Sequence, residues 1–474
     1  MCKKTICMIT MAAFCVFISS CAAKKVKKNE EISDAEMAYY LHDNGGCASD
    51  DTVIAAVVIV GVGAVYLSLL NALKSSCPFI YSYNGKKYVI DAEPYGGSIC
   101  PALKRTEWCR LEKIEETEGQ YKIRVLNELD ETQYTDELKL VVVDHPKETL
   151  VAPAVTGEFY AFSGPVSPVK ALENGKNDIL ALVSQNDSVS WETATENIGA
   201  ENRGNLKDEL IFEFPKPENS KNARLIVNAC TSLWGSRMIR EYLELYGNEV
   251  GKIYDKMANF QKVVELYDGS RDFENKSFED NTGWLIKDEL YRMFVQVETG
   301  TGWKTRAWAA GGGPFFSEDR VYNMDISDVK GTTLKIKLTP PANFWKINYV
   351  AVDYSESSPV AVKELSAKSA VDHEGKDVTA ALANMDNNFL VMPYIGDSVV
   401  MTFTAPERAA ETERSVFIKA NGYYDIHLKE TGKPQADILK KIHDEPGFSI
   451  RYAMKLYNNL KKDIASKQPV NENR

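Results

Sequence analysis

Hydrophobic and polar positions fall into three textures along the chain. Residues 5–17 are uncharged and mostly apolar, and residues 52–73 (TVIAAVVIVGVGAVYLSLLNAL) contain no charge at all. From residue 77 the long apolar blocks give way to short runs punctuated by Gly, Pro and Asn. Residues 79–83, the pair Asn84-Gly85 and residues 86–90 predict a hairpin, because Asn-Gly accepts the dihedrals of a type I′ turn. Residues 121–126 alternate with period two, and 138–143 form a continuous apolar run ended by Pro146, so both predict strands. Further strands are expected at 210–214, 224–228, 291–297, 333–338 and 347–354. This spacing predicts a mainly β protein built of β-sandwich modules, not a parallel α/β sheet.

Two stretches change period. Residues 236–267 hold apolar positions near helical spacing and no proline, interrupted only by Gly247 and Gly251, and predict inserted helices. Residues 435–467 repeat the pattern with a break at Pro446-Gly447. Ile438 and Ile442 give the first half an apolar face, and Ala453, Leu456, Tyr457, Leu460 and Ile464 do so for the second. No repeat of solenoid or propeller period occurs. The expected division is a signal at 1–20, a polar tether at 21–51 and a hydrophobic helix at 52–75. A β-rich module follows at 76–205, a second at 206–357 carrying the 236–267 insertion, a third at 358–430, and a helical end with a polar tail at 431–474.

The N-terminus reads as an address. Lys3 and Lys4 form a basic start, the apolar stretch follows, and Ile18-Ser19-Ser20-Cys21 places small residues before a cysteine. This resembles a bacterial lipoprotein signal, which implies acylation of the Cys21 thiol and cleavage on its amino side. Ala22, where Asp would signal retention, implies sorting to the outer membrane. Residues 52–73 are long enough to cross a hydrocarbon core of about 30 Å as a helix. The competing expectation is a buried helix wedged against the first β module. An inner-membrane address follows if the run spans.

The 474 residues suffice for two to four domains, and 44% hydrophobic with 26% charged residues is the balance of a chain with a substantial core. Lys and Arg total 56 against 67 Asp and Glu, a net charge of −11 that becomes −13 when Lys3 and Lys4 leave with the signal. That balance offers no basic face for nucleic acid. Five cysteines follow Cys21, of which Cys77, Cys100 and Cys109 cluster, so one disulfide is expected among those three.

Several strings form a linked series: Cys77-Pro78-Phe79 with Tyr81, Asp91-Ala92-Glu93-Pro94-Tyr95-Gly96-Gly97, Val125-Leu126-Asn127-Glu128-Leu129, Gln133-Tyr134-Thr135-Asp136, and residues 142–146. Leu233-Trp234-Gly235-Ser236, Gly311-Gly312-Gly313-Pro314-Phe315, Asp319-Arg320-Val321, Phe344-Trp345 and Val352-Asp353-Tyr354 continue it. The series resembles a family of large bacterial envelope lipoproteins and is similar, more distantly, to β-rich modules of proteins with FG-GAP repeats and an ASPIC/UnbV region. The resemblance covers most of 76–430, and residues 224–354 look like a galactose-binding-type jelly roll. It implies no catalytic residues.

Enzyme signatures are absent from the sequence: it contains no His-Glu-x-x-His and no Gly-x-Ser-x-Gly. Residues 300–305 faintly mimic a phosphate loop, but they lie between two strands and lack the helix that receives a phosphate. Asp144 and His145 are neighbours on a strand, so they point to opposite faces, and Asp144 is expected to serve the turn before Pro146. The acidic stretch 268–280 has oxygen density suited to calcium but not the ligand order of an EF-hand. The most suggestive region is 302–320. Trp303, Trp308 and Phe315 supply flat apolar surface, and Asp319 and Arg320 supply groups for hydroxyls, the mixture a sugar-binding face needs. Against this, large aromatics in β-sandwiches usually belong to the core, with Trp308 expected there and Trp303 exposed. The reading is a lipid-anchored envelope protein that binds or scaffolds, with membrane, envelope-protein or glycan partners and no cofactor or metal. Carbohydrate binding and hydrolysis by scattered carboxylates are the alternatives.

Overall fold

A computed structural model describes residues 78–193, 207–253, 293–309, 311–355, 360–445 and 447–466. The Cys21 signal, the tether, the 52–73 run and the acidic stretch 268–280 lie outside the described residues. Within them the chain is mainly β, built of several antiparallel sheets. No described helix is long and apolar enough to cross a membrane.

Sheet I orders Ser369–Asp372, Ser398–Thr404, Gln120–Leu126, Phe79–Tyr83 and Tyr88–Ala92. Sheet II orders Ala361–Leu365, Glu131–His145, Glu413–Ile426 and Arg105–Arg110, with Leu390–Met392 also on Glu131–His145. Both sheets therefore mix strands from residues 79–145 with strands from 361–426. Segments expected in separate modules at 76–205 and 358–430 share these two sheets. Sheet III orders Trp191–Glu192, Trp345–Asp353, Asn222–Thr231 and Glu318–Asp325. Sheet IV orders Gly302–Ala309, Met293–Thr299, Thr333–Thr339, Leu210–Pro215, Lys170–Glu173 and Asn177–Asp178.

The inward residues alternate with outward ones, as half-buried strands require. Ile123, Val125, Met401 and Phe403 of sheet I join Leu138, Leu140, Val142 and Ile418 of sheet II in one apolar core. Leu225 and Val227 of sheet III and Phe212, Val295 and Ile336 of sheet IV extend the same core. A fifth element, the hairpin Leu150–Pro153 with Phe159–Phe162, is buried on both faces. Val151, Phe159 and Ala161 pack on Val141, Val143 and Phe417 of sheet II. Ala152, Ala154 and Phe162 pack on Ile226, Val321 and Ala351 of sheet III. Strand alternation thus lets a single hairpin join two bodies, its odd residues facing one and its even residues the other.

The Asn84-Gly85 turn is wider than the two-residue form. The ladder closes at Tyr83 and Tyr88, leaving four loop residues. Asn84 Oδ1 accepts from the Lys86 and Lys87 N–H groups at 3.2 and 3.0 Å, an Asx arrangement that replaces the tight turn. Asp144 also departs from expectation. It ends a long strand and is clamped by Arg414, whose Nε and Nη2 lie 2.6 and 2.9 Å from its two oxygens. It accepts the Ala409 N–H as well, so its work is an ion pair between strands.

Helix Leu233–Glu244 starts at Ser232, whose hydroxyl accepts the Gly235 N–H at 2.9 Å. It packs on helix Phe448–Ser466 through Trp234 against Tyr457 and Tyr242 against Tyr452. Helix Ala436–Asp444 precedes that helix. The disulfide expected among Cys77, Cys100 and Cys109 is not formed there: Cys100 and Cys109 are buried thiols. Both belong to the apolar core. Cys230 is the disulfide-bonded one, with its partner outside the described residues.

Glu131, at the start of its strand, is 1% exposed. Burial pushes its carboxyl up to about 8, only partly offset by the Gln133 hydrogen bond and Arg240. A carboxyl raised in the fold stabilises most below its unfolded value near 4.3, and that contribution is lost as pH rises through 8. Asp91 and Asp425, each raised to about 6 chiefly by burial, act in the same direction over the lower part of that range. The thermal midpoint should therefore fall between pH 5 and pH 8, and Glu131→Gln should flatten most of that fall; an unchanged slope would contradict the assignment.

Candidate functional site

The five residues singled out at 302–320 do not converge. Trp303 and Trp308 lie on strand Gly302–Ala309, opposite Glu298 and Phe294. Met293, Val295 and Val297 face the core, so those partners, and both tryptophans with them, face outward. Each tryptophan is half-buried, including Trp308, for which a core position was expected. Lys337 Nζ lies 4.8 Å from the Trp303 ring centre. Residues 300–301 form the hairpin turn, with Gly302 at φ +110°. Phe315 is buried against Phe79, ring centres 5.6 Å apart. Asp319 accepts from Asn228 at 2.8 Å on one face of its strand, and Arg320 points to the other.

Arg320 leads to a charge knot between sheets II and III. Its Nη2 lies 3.1 Å from Glu318 and 3.7 Å from Glu107, while Arg105 lies 2.8 Å from Glu107. Cys109 joins Glu107 and Glu318 in a cluster whose ligand atoms lie within 4.8 Å of one another. A thiolate and two carboxylates are donors for a divalent metal, but two guanidinium groups already neutralise the carboxylates. Burial works to raise Glu107, yet Arg105 and Arg320 outweigh it and hold it below the ordinary range. Burial raises Glu318, with Arg320 offsetting only part. Burial, then the charges of Glu318 and Glu107, drive the Cys109 thiol well above its usual value. The cluster fits an ion-pair knot with an inert thiol, not a cation site.

Two glycine strings meet beside this knot. A Cβ on Gly96 would lie 2.5 Å from the Gly313 nitrogen, and one on Gly313 would lie 2.0 Å from Glu93 Oε2. Glu93 accepts the Phe315 N–H at 3.0 Å, and Arg105 donates to the Gly96 carbonyl. Only glycine allows the backbones to approach this closely.

Sequence reading missed the open site. A cleft of about 540 Å³ is lined by Tyr160, Asn222, Arg224, Asn323, Asp325, Asp353 and Tyr354, among others. Register builds it: Asn323, Arg224 and Asp353 stand side by side on three neighbouring strands. They share the face of Ile226, Val321 and Ala351, so the cleft continues the surface that the 150–162 hairpin covers. Tyr160 of that hairpin forms its wall. The Arg224 guanidinium lies 4.6 Å from the Tyr160 ring centre, and donates 2.7 Å to the Ser355 carbonyl. Asn323 Nδ2 is 3.3 Å from the Tyr160 hydroxyl. The Tyr354 hydroxyl is shut from solvent with no hydrogen-bond partner among the described residues, and burial raises it above its ordinary range. The available signal was Arg224 and Asp353, charges at the ends of otherwise apolar strands.

His145 offers a different chemistry. Its Nε2 lies 3.0 Å from Ser415 Oγ, but Arg110 Nη1 is also 3.0 Å from that oxygen. The opposite ring nitrogen contacts the Pro146 carbonyl and Thr149, so no carboxylate orients the ring.

If the knot is saturated by its own ion pairs, Cys100 and Cys109 should stay unreactive toward Ellman's reagent until denaturant opens the fold. Zinc should leave the thermal midpoint unchanged; reaction in the native state or a zinc-induced rise would restore the metal reading.

No family model, curated relative or solved structure matches the chain.

Proposed function

We propose that the chain is a lipid-anchored protein of the bacterial cell envelope, attached through Cys21 and favouring the outer membrane, that works by binding a carbohydrate. Sheets III and IV would form the jelly-roll-like body, and the cleft at its edge the binding site. The observation that carries the reading is the cleft wall of Tyr160, Arg224, Asn323 and Asp353. A sugar presents C–H faces to an aromatic ring and hydroxyls that both donate and accept. The exposed Asn323 amide and Asp325 carboxylate meet both needs beside the Arg224 guanidinium, which the buried Asp353 holds at 3.4 Å. Lys221 and Arg224 balance Asp325 and Asp353, so the lining suits a neutral ligand.

Hydrolysis is less well supported. Glycoside cleavage needs one carboxyl that carries a proton. Asp325 is held below the ordinary range by hydrogen bonds from Ser327, Glu107 and Glu318 are locked in the knot, and the raised carboxyls Glu131, Asp91 and Asp425 do not line the cleft. Full-length protein should bind a subset of neutral glycans on an array. Asn323→Ala should weaken that binding about tenfold, the loss of one hydrogen bond of ~1–1.5 kcal/mol, without lowering the thermal midpoint. Binding that survives both Asn323→Ala and Tyr160→Ala would sink the cleft assignment, and silence across the array would sink the carbohydrate reading.

A further inference from the structure

Among the described residues nine large apolar side chains are exposed, and six of them, Val371, Met385, Val391, Tyr394, Ile395 and Val400, belong to residues 371–400. Val371 and Val400 are direct partners on sheet I. Tyr394 and Ile395 are 73% and 64% exposed at the tip of one turn. That turn is not loose. Asp397 N–H donates to the Tyr394 carbonyl at 3.1 Å, Asp397 Oδ2 accepts the Tyr394 N–H at 2.9 Å, and Gly396 takes φ +97°. Gly396 N–H and the Asp397 carbonyl are both bonded to the Asn127 backbone, at 2.8 and 2.9 Å. His373 Nε2 lies 3.4 Å from Asp397, which ties the Val371 strand to the same spot. Five polar contacts hold two apolar side chains in water.

Where the chain enters the fold supplies the occupant. Phe79 pairs with Leu126, and Leu126 with Ser398, so the first strand begins two strand spacings, about 10 Å, from the base of this turn. The 52–73 run ends five residues before Pro78, a span of at most about 17 Å. A chain held to a bilayer by the 52–73 run therefore brings this end of sheet I to the lipid, which a lipid on Cys21 alone, 57 residues before Pro78, does not. Tyrosine beside an aliphatic residue is the composition of an interfacial contact, with an apolar body and a polar tip. We infer that the Tyr394-Ile395 turn, with Val371 and Val400 behind it, rests in the lipid headgroup region and sets the orientation of the anchored fold.

This inference rests on the reading of residues 52–73 as a second membrane anchor beside the Cys21 lipid, and one experiment separates the two. Full-length chain carrying Ile395→Cys is labelled with an environment-sensitive fluorophore and mixed with phosphatidylethanolamine–phosphatidylglycerol vesicles containing a headgroup nitroxide lipid. Glu411→Cys serves as control. It is exposed at the far end of strand Glu413–Ile426, whose 14 residues span about 45 Å. The label at 395 should shift to the blue and be quenched several-fold more strongly than the label at 411. If the chain sediments with vesicles but both labels report water, the orientation is wrong and the anchor stands. A label at 395 that is shielded yet escapes the nitroxide means that another protein segment covers the turn, which also overturns the inference. Failure to sediment at all would remove the anchor reading and this inference with it.

Discussion

The hairpin 150–162 is the constraint on which the two sheet pairs depend. A two-stranded ribbon alone is marginal in water, because one face cannot bury enough area to offset the ordering of its backbone. Here both faces are covered, one by Val141, Val143 and Phe417, the other by Ile226, Val321 and Ala351. Gly157 in its turn seats the Trp108 ring, which would meet a Cβ at 2.6 Å. Arg110 donates to the Val151 carbonyl and stacks on Phe417, closing the edge of the same contact. The hairpin is held because two bodies meet over it, and it adds to the contact they make through the shared core and the Glu107–Arg320 pair.

Both features of chemical interest follow from that contact. Pressing sheet II against sheet III brings Glu107 and Arg105 to Glu318 and Arg320. Burying two carboxylates is tolerable only because two guanidinium groups arrive with them. The close glycine backbones at Gly96 and Gly313 set how near the bodies come. Beyond the hairpin, the uncovered remainder of the sheet III face becomes the cleft, with Tyr160 as the wall the hairpin contributes. Structure and candidate site are thus two ends of one interface.

Local periodicity made much of this legible, and pairing across long separations did not. The strands at 121–126, 210–214 and 333–338 could be read because alternation records burial of one face. The 15-residue strand Glu131–His145 was visible only at 138–143, since its first half carries Glu131, Gln133, Thr135 and Asp136, polar residues buried by partners far along the chain. Gly96, Gly313, Glu93 and Phe315 belonged to strings noticed separately, and nothing local says that they touch. The tryptophans drew attention because aromatic residues are conspicuous in sequence. The cleft residues Arg224, Asn323 and Asp353 did not, because their adjacency exists only in the strand register. Cysteine spacing misled for the same reason: Cys77, Cys100 and Cys109 are close in sequence, yet Cys100 and Cys109 are buried free thiols.

The central claim is that the hairpin couples the two sheet pairs into one cooperative unit. Native-state hydrogen exchange of the full chain tests it directly. The amides of Val151 and Ala161 should exchange only on global unfolding, with the same free energy and denaturant dependence as core amides of sheets II and III. Faster exchange at the hairpin than in either sheet, or two bodies with different opening free energies, would contradict it.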